Sequence, residues 1–129
     1  MNADKRRLEL DALTEKIIGC AFTVSNTLGC GFLEKVYANA LAHEFRKCGI
    51  KFSQQYPIQV RYDGVIVGDY TADLLVEEQV LVELKAVKDF DEIHFAQCLN
   101  YLHATGLSVC LLLNFGKPKV EVKRLVRNF

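Results

Sequence analysis

Apolar residues recur at threes and fours from Leu8 to Leu28, with Leu10, Leu13, Ile17, Ala21, Val24 and Leu28 on one stripe. That spacing predicts an amphipathic helix, ended by Gly29-Cys30-Gly31. A second helical pattern runs from Phe32 to Cys48, with Leu33, Val36, Tyr37, Ala40, Leu41 and Phe45 on one face and Gly49 as a left-handed stop. The period then changes. Lys51 to Tyr62 carries Phe52, Tyr56, Ile58 and Val60 before a turn signal at Asp63-Gly64, and strands are expected over Val65–Val76 and Val80–Val87. Two consecutive hairpins make an antiparallel meander. Asp89, with an acid three residues on at Glu92, has the form of a helix cap and predicts a third helix from Phe90 to Thr105, closed by Gly106. The apolar run Leu107–Asn114 suits a buried strand, and Val120–Val126 a last strand of mixed polarity. The order α-α-β-β-β-α-β-β accounts for residues 1–129 as one α/β domain, with no repeat and no linker.

Within the second hairpin, Asp73 and Glu83 flank two apolar runs joined by Glu77-Glu78-Gln79. A turn centred on Glu78 sets Asp73 directly opposite Glu83. Such a pair has Cβ atoms roughly 4.5–5.5 Å apart, where like charges destabilise. A two-residue turn would instead oppose Asp73 to Val82. Alternation along the strand places Lys85 on the face of Glu83. Acid-x-Lys is weak as a motif, since about one is expected by chance at ordinary charge content. The setting is more informative, because Lys and Glu are rarely buried in Val/Leu-rich strands unless paired. Two readings fit: a divalent cation on the carboxylates, or a structural ion pair with Lys85 bridging Glu83 and Asp73.

Composition narrows the class. Half the residues are hydrophobic and the formal net charge is zero, so the chain as a whole is no electrostatic magnet for nucleic acid. Basic residues do gather from Lys117 to Arg127, as a phosphate-facing segment or a solvated edge strand. The five cysteines, Cys20, Cys30, Cys48, Cys98 and Cys110, are odd in number and lack a C-x-x-C pair. They suggest neither a disulfide framework nor a zinc ribbon, but a reducing compartment. No uncharged apolar stretch approaches the roughly 18 residues of a membrane helix, and the acidic N-terminal residues do not form a signal peptide. A cytoplasmic protein with no membrane contact is expected.

Other polar residues fall on helical faces. Gly31, Glu34 and Tyr37 are spaced so that Glu34 and Tyr37 share a face, as do Gln97 and Tyr101 on the third helix. Glu34 also suits a helix start for macrodipole reasons alone. His43, His94 and His103 have no metal-ligand spacing, although His94 stands near Gln97; Lys88 follows the Lys85 strand and is a candidate phosphate contact.

Taken in order, G-x-x-E-x-x-Y at Gly31, Glu34 and Tyr37, then Asp73, then E-x-K at Glu83 and Lys85, then Q-x-x-x-Y at Gln97 and Tyr101 resembles the PD-(D/E)XK nuclease superfamily. More narrowly, it resembles the bacterial GxxExxY proteins, with the Q-x-x-x-Y element of RecB-type and lambda-exonuclease-type nucleases. The residue before Asp73 is Ala72 rather than proline.

The resemblance implies a restriction-endonuclease-like core, a central mixed sheet flanked by helices. It implies Mg²⁺ or Mn²⁺ held by Asp73, Glu83, the Leu84 carbonyl and Glu34. Lys85 would help activate the attacking water, and Gln97, Tyr101 and Tyr37 would serve substrate. The expected activity is metal-dependent phosphodiester hydrolysis, with DNA as substrate. Two alternatives stand beside it: a nuclease fold without turnover that binds nucleic acid or protein, and a metal-free domain held by an ion-pair network. Separately, the apolar first helix suggests either a subunit contact or packing on the sheet, and a homodimer is the expected assembly.

Overall fold

The computed structural model describes residues 2–128. Helices α1 (Ala3–Leu28) and α2 (Glu34–Lys47) precede strands β1 (Phe52–Tyr62), β2 (Val65–Val76) and β3 (Val80–Lys85). Helix α3 (Glu92–Thr105) and strands β4 (Val109–Asn114) and β5 (Glu121–Val126) follow. The strands form one sheet in chain order, β1-β2-β3-β4-β5. β3 and β4 pair in parallel while the other neighbours are antiparallel, so the sheet is mixed, with α3 as the crossover.

Strand alternation sorts the core into two layers. Leu74, Val76, Val80, Val82 and Leu84 pack with Leu10, Ile17, Tyr37, Leu41 and Phe45 of α1 and α2. Leu75, Leu81, Cys110, Leu112 and Leu125 pack with Cys98, Tyr101 and Leu102 of α3. Continuous Val/Leu runs in β3 and β4 are what a sheet covered on both faces requires. The stripe of α1 is spent on this core: Leu10, Ile17, Ala21 and Val24 are buried.

Element order agrees with the sequence pattern, while several ends differ for local reasons. α1 starts earlier than Leu8 because the Asn2 side chain caps it, accepting the Lys5 N–H at 2.7 Å. α2 starts at Glu34 rather than Phe32, because the Phe32 N–H is held by the Tyr37 hydroxyl at 3.2 Å. α3 is capped by Asp91, not Asp89: its carboxylate accepts the Ile93 N–H, and His94 Nδ1, not a Glu92 carboxylate, accepts the Asp91 N–H at 3.0 Å. His94 is thereby committed to the cap. β3 stops at Lys85 instead of Val87, because the Asn114 side chain takes both the N–H and the carbonyl of Val87. β5 is an edge strand, with Lys123 and Arg124 exposed, which matches the solvated-edge reading of the basic segment.

Candidate active site

The turn that sets the site is three residues long. Leu74, Leu75 and Val76 pair with Val82, Leu81 and Val80, a register centred on Glu78. Glu77 and Glu78 both adopt positive φ, 50° and 56°, which closes the hairpin in this short span. Glu77 is pinned at its carboxylate, which accepts the Lys51 N–H at 2.8 Å.

The β2–β3 ladder ends at Leu74 and Val82, and side chains take over. The Asp73 N–H donates to Glu83 Oε1 at 3.0 Å, and the Leu84 N–H donates to Asp73 Oδ2 at 2.7 Å. Asp73 is half-buried and Glu83 is 4% exposed. Burial, then the neighbouring Asp73 charge, pushes the Glu83 carboxyl up to about 9. A carboxylate pair this enclosed needs a shared proton or a cation.

Lys85 is half-buried, and no salt bridge ties it to either acid. The structural ion pair is therefore not formed. The Lys85 ammonium does act on Cys98, whose thiol is pulled below its ordinary range by a hydrogen bond from Cys110 and then by Lys85, against the opposing effect of burial.

Gln97 and Tyr101 are brought together as their spacing implies, Gln97 Nε2 donating to the Tyr101 hydroxyl at 3.0 Å. Tyr101 is pushed up to about 12 by burial, then by the charges of Glu83 and Asp73, which places α3 against the carboxylates.

Glu34 stands apart. It is the exposed first residue of α2, on the opposite face of the sheet from α3. It lines a cavity of about 220 Å³ with Asp73 and Leu84. Among the described residues no three His, Cys, Asp or Glu side chains are grouped to hold a metal ion, so Asp73 and Glu83 form a pair that Glu34 does not close. Tyr37, expected at substrate, is fully buried. Its hydroxyl donates to the Gly29 carbonyl at 2.7 Å and its ring stacks on Phe115 at 4.7 Å, so it holds the turn before α2.

One lining residue carried no signal in the sequence. Gln55 lies on β1 between Gln54, paired with Leu74, and Tyr56, paired with Ala72, and so stands level with Asp73. Its φ is +54°, and it lines the same cavity as Asp73. Both ladders flanking Asp73 are thus interrupted at its level.

The donor set is two opposed carboxylates, one of them buried, beside an unpaired ammonium. It fits a hard divalent cation, since Mg²⁺ commonly takes one or two protein carboxylates and keeps several waters. The sequence matches the family model of the PD-(D/E)XK nuclease superfamily over residues 11–125. The chain belongs to the PD-(D/E)XK nuclease superfamily. No curated protein sequence matches it. A solved alkaline exonuclease (LHK-Exo) from Laribacter hongkongensis shares the fold, with TM-score 0.52, 12% identity, and coverage of 89% of this chain and 82% of that one. For a PD-(D/E)XK protein the α/β architecture is as expected, and membership supports hydrolysis of nucleic acid with a divalent metal ion as the general cofactor. No helix among the described residues is long and apolar enough to cross a membrane.

Proposed function

We propose that this protein is a Mg²⁺- or Mn²⁺-dependent nuclease acting on DNA. The observation that carries the reading is the pair of hydrogen bonds where the ladder breaks, in which the Glu83 carboxylate accepts the Asp73 N–H and the Asp73 carboxylate accepts the Leu84 N–H, holding the two acids together on the strand that carries Lys85. Asp73, Glu83 and the Leu84 carbonyl would hold the ion, with Glu34 reaching it through water. When bound, the ion supplies Lewis acidity and a more acidic water. Lys85 would orient that water and offset the charge growing on the phosphate. Gln97 donates to the Tyr101 hydroxyl oxygen and so orients it, leaving the phenolic proton to be donated to a phosphate oxygen. The narrower likeness to GxxExxY proteins and RecB-type nucleases belongs to this reading.

The test is a cleavage assay on plasmid, linear and branched DNA with Mg²⁺ or Mn²⁺. Cleavage should vanish in Asp73→Ala and Lys85→Ala; persistence in both would remove the assigned site. A second reading, a nuclease fold that binds without turnover, draws on the separation of Glu34 from the acid pair. DNA binding without cleavage at any concentration of either metal would establish it. The homodimer is proposed through the β1–β2 tip, where Tyr62, Val65 and Val67 are exposed. Sedimentation should show a dimer that Val67→Asp dissociates.

A further inference from the structure

A cleft of about 920 Å³ opens where the ends of β3 and β4 meet the start of α2. Phe32, Leu33, Lys35 and Lys88 are on its wall, over Val87 and Gly116. Glu34 and Lys35 also line the smaller cavity that contains Asp73, so the cleft adjoins that cavity.

Phe32 is 50% exposed and Leu33 79%. The Phe32 ring is nonetheless anchored: its N–H donates to the Tyr37 hydroxyl, and the two rings meet edge-on at 6.2 Å. The buried Tyr37 thus holds an aromatic face outward, in a place where burial would be more favourable. Lys35 and Lys88 are exposed, and among the described residues neither forms a salt bridge. Lys117, by contrast, is held by Asp89 and Glu121, each at 3.3 Å. The described lining contains no amide, hydroxyl or imidazole side chain, so its polar side chains are the carboxylate of Glu34 and the lysine ammoniums, beside the Cys30 thiol.

A fixed aromatic platform and unpaired cations, in a lining without amide, hydroxyl or imidazole side chains, form the combination that binds unpaired strands with little sequence preference. Bases in a duplex are already stacked and have no use for Phe32. We propose that the cleft is a subsite for a single-stranded nucleic-acid segment. One base stacks on Phe32, while Lys35 and Lys88 meet backbone phosphates on the way to Asp73. This rests on the nuclease reading of the Asp73–Glu83 site.

The test uses the full chain carrying Asp73→Asn, without added metal. Fluorescent oligothymidylate, a mixed-sequence single strand and a duplex of the same length are titrated by anisotropy. Both single strands should bind more tightly than the duplex and within a few-fold of each other. Phe32→Ala should weaken single-strand binding about tenfold, the loss of one base stack, and Phe32→Trp should restore it. Lys88→Glu should weaken binding and flatten its salt dependence. Duplex preference, or unchanged affinity in Phe32→Ala, would overturn the subsite. Failure of the nuclease reading appears separately, as absence of cleavage by the wild-type chain with Mg²⁺ or Mn²⁺, because the binding measurements do not depend on turnover.

Discussion

Asp73 and Glu83 hold each other's strands: Glu83 Oε1 accepts the Asp73 N–H at 3.0 Å, and Asp73 Oδ2 accepts the N–H of Leu84, the residue after Glu83, at 2.7 Å. The side chains stand in for the ladder that stops at Leu74 and Val82. Backbone pairing and acid placement are therefore one feature, and the residues proposed to carry the chemistry also close the sheet.

Two substitutions at Asp73 separate these roles. Asn keeps an oxygen for the Leu84 N–H but removes the charge, whereas Ala leaves that N–H without a partner, which costs about 1–3 kcal/mol for a buried group. Urea denaturation should place Asp73→Asn near wild type and Asp73→Ala below it, with both inactive in the cleavage assay. Wild-type turnover by Asp73→Asn would show that the charge is not needed.

Glu83 predicts a pH dependence. Burial first, and the Asp73 charge second, raise it from 4.5 to about 9. Between those values the folded metal-free chain keeps a proton that the unfolded chain has lost, so stability falls as pH rises through this window. Denaturation midpoints in chelator should decline from pH 5 to pH 9 (about the span of the shift), and Glu83→Gln should flatten the decline. Metal binding near neutral pH should release protons, read by calorimetry in buffers of differing ionisation enthalpy. A midpoint that does not fall with pH in the wild-type chain would contradict the raised carboxyl.

Much of this arrangement is legible in the sequence. The polar stretch Glu77-Glu78-Gln79 between two apolar runs marks a three-residue turn, and that turn length sets the register of Asp73 against Glu83. The spacing of Gln97 and Tyr101 likewise gives their contact. Partners selected by the fold are not legible. Gln55 reads as an ordinary strand residue, and its positive φ arises only where both ladders break around Asp73. Tyr37 shares a helical face with Glu34 in the sequence, yet the Gly29 carbonyl turns its hydroxyl to structural use. The cap of α3 went to Asp91 because His94 completes it, a pairing outside the usual acid-based pattern.

Lys85 should matter for rate and little for stability, since it forms no salt bridge to either acid. Removing a group that stabilises transition-state charge costs about 10²–10³ in kcat. Lys85→Met preserves the apolar stem and should show that loss with an unfolding midpoint near wild type. A large drop in stability with little change in kcat would instead make Lys85 a structural residue.

The turn after Lys85 depends on Asn114. This fully buried amide accepts the Val87 N–H at 3.0 Å and the Gly116 N–H at 2.9 Å, and donates to the Val87 carbonyl at 2.9 Å. The Phe115 N–H adds a bond to the Lys85 carbonyl at 2.8 Å. Gly116 fits because a Cβ there would lie 2.3 Å from the Val87 carbonyl oxygen, a steric demand rather than a conformational one. Asn114→Ala strips three backbone groups of their partner, and should lower stability by at least about 3 kcal/mol if each loss is at the low end of its range. Asn114→Asp keeps an acceptor for the two N–H groups but sets a carboxylate oxygen against the Val87 carbonyl, and should be destabilised as well. Gly116→Ala must displace the Val87 backbone, which continues from Lys85, so kcat should fall even in molecules that remain folded. Urea titration with single-turnover cleavage separates the two effects. A Gly116→Ala chain with wild-type stability and rate would show that the Val87 turn is free to move without disturbing Lys85.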